Sequence, residues 1–188
     1  MQIAITGHVA GIGHALAKIL ESRGHKIVGI SRRTGDNIRR TEHVANLIAP
    51  CDLFINNAQI QYAQTELLYA VWDRWQGQEG KYIWNISTMM TEEPINSAPD
   101  GQNDLIMSQY QNQKIALEEA SKQLRFKNNW PNISVIRPGG VATQEKFDNS
   151  NKSNVDVWAQ TVIDFFSYNN NISISEVSIG HTTKRIPI

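Results

Sequence analysis

Residues 2–20 restrict this chain to few architectures. Gln2-Ile3-Ala4-Ile5-Thr6 is a short apolar run suited to a buried strand, and Thr6-Gly7-His8-Val9-Ala10-Gly11-Ile12-Gly13 follows it at once. Ile12, Leu16, Ile19 and Leu20 then recur at helical spacing. Glycines in the connection let the backbone turn tightly and let a diphosphate approach it closely. The helix start adds free N–H groups and the positive end of the dipole. Strand, glycine turn and helix in this order point to a dinucleotide cradle, with Gly7, His8, Ala10, Gly11, Ile12 and Gly13 as the candidate contacts.

The alternation continues along the chain. The pattern predicts a helix from about Ile12 to Ser22, ended by Gly24, and a strand over Lys26–Ile30. A third strand is expected at Asp36–Ile38, a helix at Thr41–Ile48 and a strand at Leu53–Asn56. Next come a helix over Tyr62–Gln76, a strand over Lys81–Ser87, a loop over 89–105 and a long helix over Ser108–Phe126. Ile133–Ile136 reads as strand, Val155–Tyr168 as helix and Ile172–Ile179 as the last strand. Parallel strands need crossovers, so this order predicts a single α/β domain over 1–188, a doubly wound and mostly parallel sheet. The second helix of such a fold belongs between Ser31 and Asp36, where four residues are too few, so it is expected to be missing.

Composition removes several classes of function. Lys plus Arg and Asp plus Glu both number 18, so the chain lacks the basic field that nucleic acids or anionic membranes require. No apolar run is long enough for a transmembrane helix, and the strand starting next to Met1 leaves no expected room for a signal peptide. Cys51 is the sole cysteine, which excludes an internal disulfide and fits a reducing cytosol. His8, His14, His25, His43 and His181 show no paired-ligand spacing, so no metal site is expected.

The end of the second strand bears on which dinucleotide. A preference for the ribose 2′-hydroxyl usually places an acid about 20 residues past the glycines. Here the strand runs out through Gly29-Ile30-Ser31-Arg32-Arg33 with no acid before Asp36. Paired guanidiniums suit a 2′-phosphate, so NADP(H) is the expected cofactor, with NAD(H) as the alternative. Ser31, Arg32, Arg33 and Asp36 are the candidates at this end, against the reading of a solvated arginine-rich turn that also holds Arg39 and Arg40.

Four motifs in order resemble the short-chain dehydrogenase/reductase family over essentially the whole chain, in a shortened form. The glycine turn resembles T-G-x-x-x-G-x-G, and Asn56-Asn57-Ala58-Gln59 resembles N-N-A-G except at its last place. Tyr110-Gln111-Asn112-Gln113-Lys114 matches Y-x-x-x-K, and Pro138-Gly139-Gly140-Val141-Ala142-Thr143 matches P-G-x-V-x-T. The resemblance implies a Rossmann-like fold and adds Asn57, Ala58, Gln59, Pro138, Gly139, Gly140, Val141 and Thr143 to the cofactor residues. It further implies that Tyr110 and Lys114 touch the cofactor, Lys114 through the nicotinamide ribose.

Tyr110 and Lys114 share one helix face at a spacing of four. An ammonium beside the phenol is expected to lower the tyrosine pKa, making Tyr110 the acid and base for a carbonyl or alcohol substrate. The resemblance also implies a hydroxyl at the end of Lys81-Tyr82-Ile83-Trp84-Asn85-Ile86-Ser87-Thr88. Adjacent strand residues face opposite ways, so either Ser87 or Thr88 can aim at the site, and alignment favours Thr88. Departures from the family pattern are Gln59 in place of glycine, no equivalent helical asparagine between Tyr62 and Gln76, and a short segment, 144–154, after Thr143. The expected activity is NADP(H)-dependent carbonyl or alcohol oxidoreduction. The alternatives are a non-catalytic NAD(P)-binding, redox-sensing module and a nucleotide-sugar epimerase or dehydratase. Family likeness implies a homodimer or homotetramer, with Trp72 and Trp75 serving either that contact or the core.

Overall fold

A computed structural model describes residues 1–92, 104–143, 151–167 and 173–180. Six parallel strands form the central sheet: β1 (Gln2–Thr6), β2 (Lys26–Ile30), β3 (Leu53–Asn56), β4 (Tyr82–Ile86), β5 (Asn132–Pro138) and β8 (Glu176–Ile179). Their order across the sheet is β2-β1-β3-β4-β5-β8. The helices are α1 (Gly11–Ser22), α2 (Thr41–Ile48), α3 (Ala63–Trp75), α4 (Asp104–Lys127) and α5 (Val155–Ser167). A second, two-residue ladder joins β6 (Val141–Ala142) to β7 (Ser153–Asn154).

Alternation along each strand sorts the core into two layers. Ala4, Phe54, Ile83 and Ile133 face α2, α3 and α4, where Leu67, Leu68, Val71, Trp75 and Leu117 are buried. Ile3, Ile5, Leu53, Ile55, Trp84 and Ile136 face α1 and α5 and meet Leu16, Leu20, Trp158 and Val162. Trp75 belongs wholly to the core, its indole N–H donating to the Ala49 carbonyl, and Trp72 packs partly buried against the same layer.

The predicted strand at Asp36–Ile38 does not form. Between Ser31 and Asp36 there is a single 3-10 turn, Arg32–Thr34, closed by Ser31 and Thr34 capping each other. Ile38 is buried in the layer with Ile30 and Val44, so its apolar character serves as a plug and β2 remains the edge of the sheet. Thr41–Ile48 is then the crossover helix from β2 to β3. The expected loop 89–105 begins as a 3-10 turn, Met89–Glu92, and α4 starts at Asp104, four residues ahead of the predicted start. Residues 93–103, and 144–150 of the segment after Thr143, lie outside the described residues. The last strand starts at Glu176, because Ser173–Ser175 join the edge of β5 through single hydrogen bonds such as Val135 N–H to the Ser175 carbonyl.

Candidate active site

Parallel strands expose their carboxyl ends together, and the predicted residues converge there. Gly7 turns the chain off β1 at φ +73, a conformation that favours glycine. A Cβ on Gly13 would stand 2.4 Å from the Gly7 carbonyl oxygen and 2.7 Å from Asn57 Nδ2, so only glycine lets α1 start this close to the turn. Asn57 secures the turn from the other side. Its Nδ2 donates to the Thr6 carbonyl at 2.9 Å, and the Asn57 and Ala58 backbone N–H groups donate to Thr6 Oγ1 at 2.9 and 3.0 Å. Thr6, not singled out from sequence, therefore holds the first and second motifs together. Ala10 caps α1 in extended geometry, and Thr143 lies across from Gly11. Ile12 and Val141 are packing residues against the α1–α5 layer. His8 lies on Gly29, where an added Cβ would come within 2.4 Å of the ring, and its buried Nδ1 has no hydrogen-bond partner among the described residues.

A cleft of about 230 Å³ opens beside this turn, lined by Gly7, Ala10, Ser31, Arg32, Arg33 and Asp36 and closed by Ala58 and Gln59. Arg32 and Arg33 are exposed and have no carboxylate partner among the described residues. Asp36 is engaged by His43 Nε2 at 3.1 Å. Gln59 reaches past the cleft to donate its amide N–H to Gln113 Oε1 on α4. A larger cavity, about 450 Å³, lies at the amino ends of the strands among Ile3, Leu53, Trp84 and Phe166, away from all four motifs.

Tyr110, Lys114 and Glu118 recur every fourth residue along α4 and so share one face. Thr88 hydrogen-bonds the Tyr110 side chain. Ser87 turns away, donating its hydroxyl to Glu118. Glu118 also accepts from Thr91 Oγ1 at 3.0 Å and pairs with Arg137 at 2.7 Å. Lys114 is 3% exposed, and its Nζ donates to Gln64 Oε1 and to the Ile86 carbonyl, both at 2.8 Å. Burial pushes the Lys114 pKa down to about 7, against the attraction of Glu118. Gln64, Glu118 and Arg137 are absent from the sequence-derived set. The signal for Gln64 was a polar residue in phase with the apolar stripe Leu67, Leu68 and Val71, and that for Glu118 was its spacing from Lys114.

One expectation is corrected here. The Tyr110 pKa is raised, because burial outweighs the hydrogen bond from Thr88. The Lys114 ammonium sits 5.7 Å from the phenol ring centre and directs two of its three N–H donors to α3 and β4, so its attraction does not offset the burial of the phenol. At the end of β5, the Gly139 N–H donates to the Ile179 carbonyl, and Met89 packs between Gly139 and Gly180. Pro138 closes β5, and Gly140 packs against Lys152.

With this arrangement established, comparison with solved structures identifies its architecture. A short-chain dehydrogenase/reductase from Vibrio parahaemolyticus superposes with a TM-score of 0.75 at 15% identity, over 99% of both chains. The fold is that of the short-chain dehydrogenases/reductases. An alcohol dehydrogenase from the archaeon Thermococcus sibiricus, complexed with 5-hydroxy-NADP, gives 0.72 at 13% identity over 100% of this chain and 99% of its own. A 3-alpha-hydroxysteroid dehydrogenase from Pseudomonas sp. B-0831, complexed with NADH, gives 0.68 at 16% over 95% of each. No protein-family model and no curated protein matches the sequence. Among the described residues no helix is long and apolar enough to cross a membrane, and no cluster of three metal-ligating side chains occurs.

Proposed function

We propose that this protein is an oxidoreductase that uses NADP(H) to interconvert a small carbonyl compound and its alcohol. The observation that carries the reading is the Tyr110 phenol, hydrogen-bonded by Thr88 and flanked by the buried Lys114, at the same carboxyl edge of the sheet as a glycine turn too tight for any side chain at Gly13. The fit to the cofactor rests on that turn for the diphosphate and, for a 2′-phosphate, on Arg32 and Arg33, which have no carboxylate partner among the described residues. Ala58 and Gln59 line the same cleft, and Asn57, Gly139, Gly140 and Thr143 would border the rest of the cofactor. The bound nicotinamide supplies or accepts hydride at the substrate carbon.

The chain's own part is to manage the proton. Burial keeps Tyr110 protonated, which suits it to donate to a carbonyl oxygen as negative charge develops there. Thr88 holds the phenol, and its one hydroxyl proton would serve the substrate oxygen only by leaving Tyr110; the engagement of Ser87 by Glu118 supports Thr88 in this place. Lys114 keeps an ammonium proton for a cofactor hydroxyl after its two protein bonds are made. A homodimer or homotetramer belongs to the same proposal. With Trp75 in the core, its contact would fall on exposed apolar residues such as Tyr69 of α3 and Ile115 of α4, and light scattering tests it. A cytosolic location is also proposed, on the single buried thiol of Cys51, and fractionation tests it.

The deciding experiment is titration of NADPH fluorescence, followed by a panel of carbonyl compounds. Binding with turnover that Tyr110→Phe abolishes is the expected result. Tight binding without turnover on any compound favours the non-catalytic module, and absence of binding by folded protein ends both readings.

A further inference from the structure

Between the predicted cofactor turn and the predicted catalytic helix lies a buried side chain that no motif contains. Gln64, on the first turn of α3, is 2% exposed and makes three hydrogen bonds. Its Nε2 donates to the Asn56 carbonyl at 2.6 Å and to the Ile86 carbonyl at 3.1 Å. Both amide protons are thereby used, and Oε1 is left to accept from Lys114 Nζ at 2.8 Å. The reverse orientation would set an N–H donor against the ammonium and the amide oxygen against two carbonyls, so it is excluded electrostatically. Further polar bonds back the arrangement: Asn56 Nδ2 donates to the Gln64 carbonyl and to Asn85 Oδ1, and Asn85 donates to Ser121 on α4.

We propose that Gln64 is the positioning residue for Lys114: its locked amide oxygen and the Ile86 carbonyl fix the ammonium under Tyr110 and hold it charged where burial opposes charge. The functional consequence rests on the oxidoreductase reading, since only a ligand-binding lysine profits from being kept in place. The charges that bear on Lys114 come from its own helix, with Glu118 one turn along and Tyr110 one turn back. From α3 and β4 the ammonium receives the Gln64 amide and the Ile86 carbonyl. A neutral amide accepts a hydrogen bond without taking up a proton. A carboxylate in its place would bind the ammonium too well, and an apolar side chain would abandon it.

The test is NMR of the protein carrying 13C-labelled lysine, with the Lys114 Cε resonance assigned by its loss in Lys114→Met. Gln64→Glu is expected to raise the Lys114 titration midpoint by at least about one pH unit, and Gln64→Met to lower it. A residue that merely fills space would move the midpoint the same way in both variants or not at all, and either outcome overturns the proposal. Wild-type protein provides a measurement free of folding effects. The Gln64 side-chain amide resonances should titrate together with Lys114 and stop doing so in Lys114→Met, and a flat response in the wild type also overturns it. NADPH titration alongside separates the two readings, because opposite midpoint shifts without NADPH binding would sink the function and leave the positioning role intact.

Discussion

The two ends of the site are built by different means. At the nucleotide end, the backbone does the shaping: Gly7 and Gly13 bring the turn against itself, and Thr6 and Asn57 lace it to the end of β3. At the reaction end, buried polar side chains do it. Gln64, Asn56, Asn85 and Ser121 link α3, β3, β4 and α4, and Ser87, Glu118 and Arg137 link β4, α4 and β5. A backbone cradle fails by steric intrusion, all at once. A side-chain network fails by degrees, as each lost partner leaves a buried donor or acceptor unpaired.

That contrast can be broken most forcefully at Tyr110. Tyr110→Phe is expected to lower kcat by roughly 10²–10⁴-fold while leaving NADPH affinity within a few-fold, read from NADPH oxidation and fluorescence titration. Equal losses in both would mean that the two ends are not separable. Gly13→Ala should do the opposite. Its Cβ would sit 2.4 Å from a backbone oxygen that has no flexible end to swing away, so NADPH binding should disappear and urea melts should show a loss of about 1–3 kcal/mol.

Arg32→Ala and Arg33→Ala sharpen the nucleotide end. Each should weaken NADPH by roughly tenfold at low salt and leave NADH nearly unchanged. Loss of both cofactors together would show that the arginines serve the fold.

The reaction end also predicts a pH effect. Lys114 titrates near 7 when folded, well below an unfolded lysine. Between those two values the unfolded chain binds more protons, so stability should rise as pH climbs from about 7 towards 10, with the burial penalty fully felt below that window. Lys114→Met should flatten this slope in urea melts. The smallest effect belongs to Gly29→Ala, which would press a methyl on the His8 ring. A loss of roughly 1 kcal/mol is expected, largely recovered by adding His8→Ala, since a side chain can yield where a carbonyl cannot.

The same contrast explains what could be read in advance. Every strand of the main sheet except its last began within about two residues of the predicted place, because alternation and turn residues are local signals. Asp36–Ile38 misled because an isolated apolar residue marks burial without saying whether a strand or a plug delivers it. Gln59 announced itself as a departure, yet its partner Gln113 lies 54 positions away, a distance over which no spacing rule operates. Gln64 passed unnoticed for the same reason.

Sequence alone determined the order of the six main strands and the helices between them, the strand expected at Asp36–Ile38 apart, together with the glycine turn and the placing of Tyr110 and Lys114 on one helical face. All of these depend on neighbours a few residues apart, where backbone geometry fixes what meets what. Tertiary structure decided where the ammonium of Lys114 points, which of Ser87 and Thr88 turns to Tyr110, and that burial raises the phenol. Those outcomes follow from desolvation and from hydrogen bonds between distant segments, and neither exists until the sheet and both helix layers have closed around them.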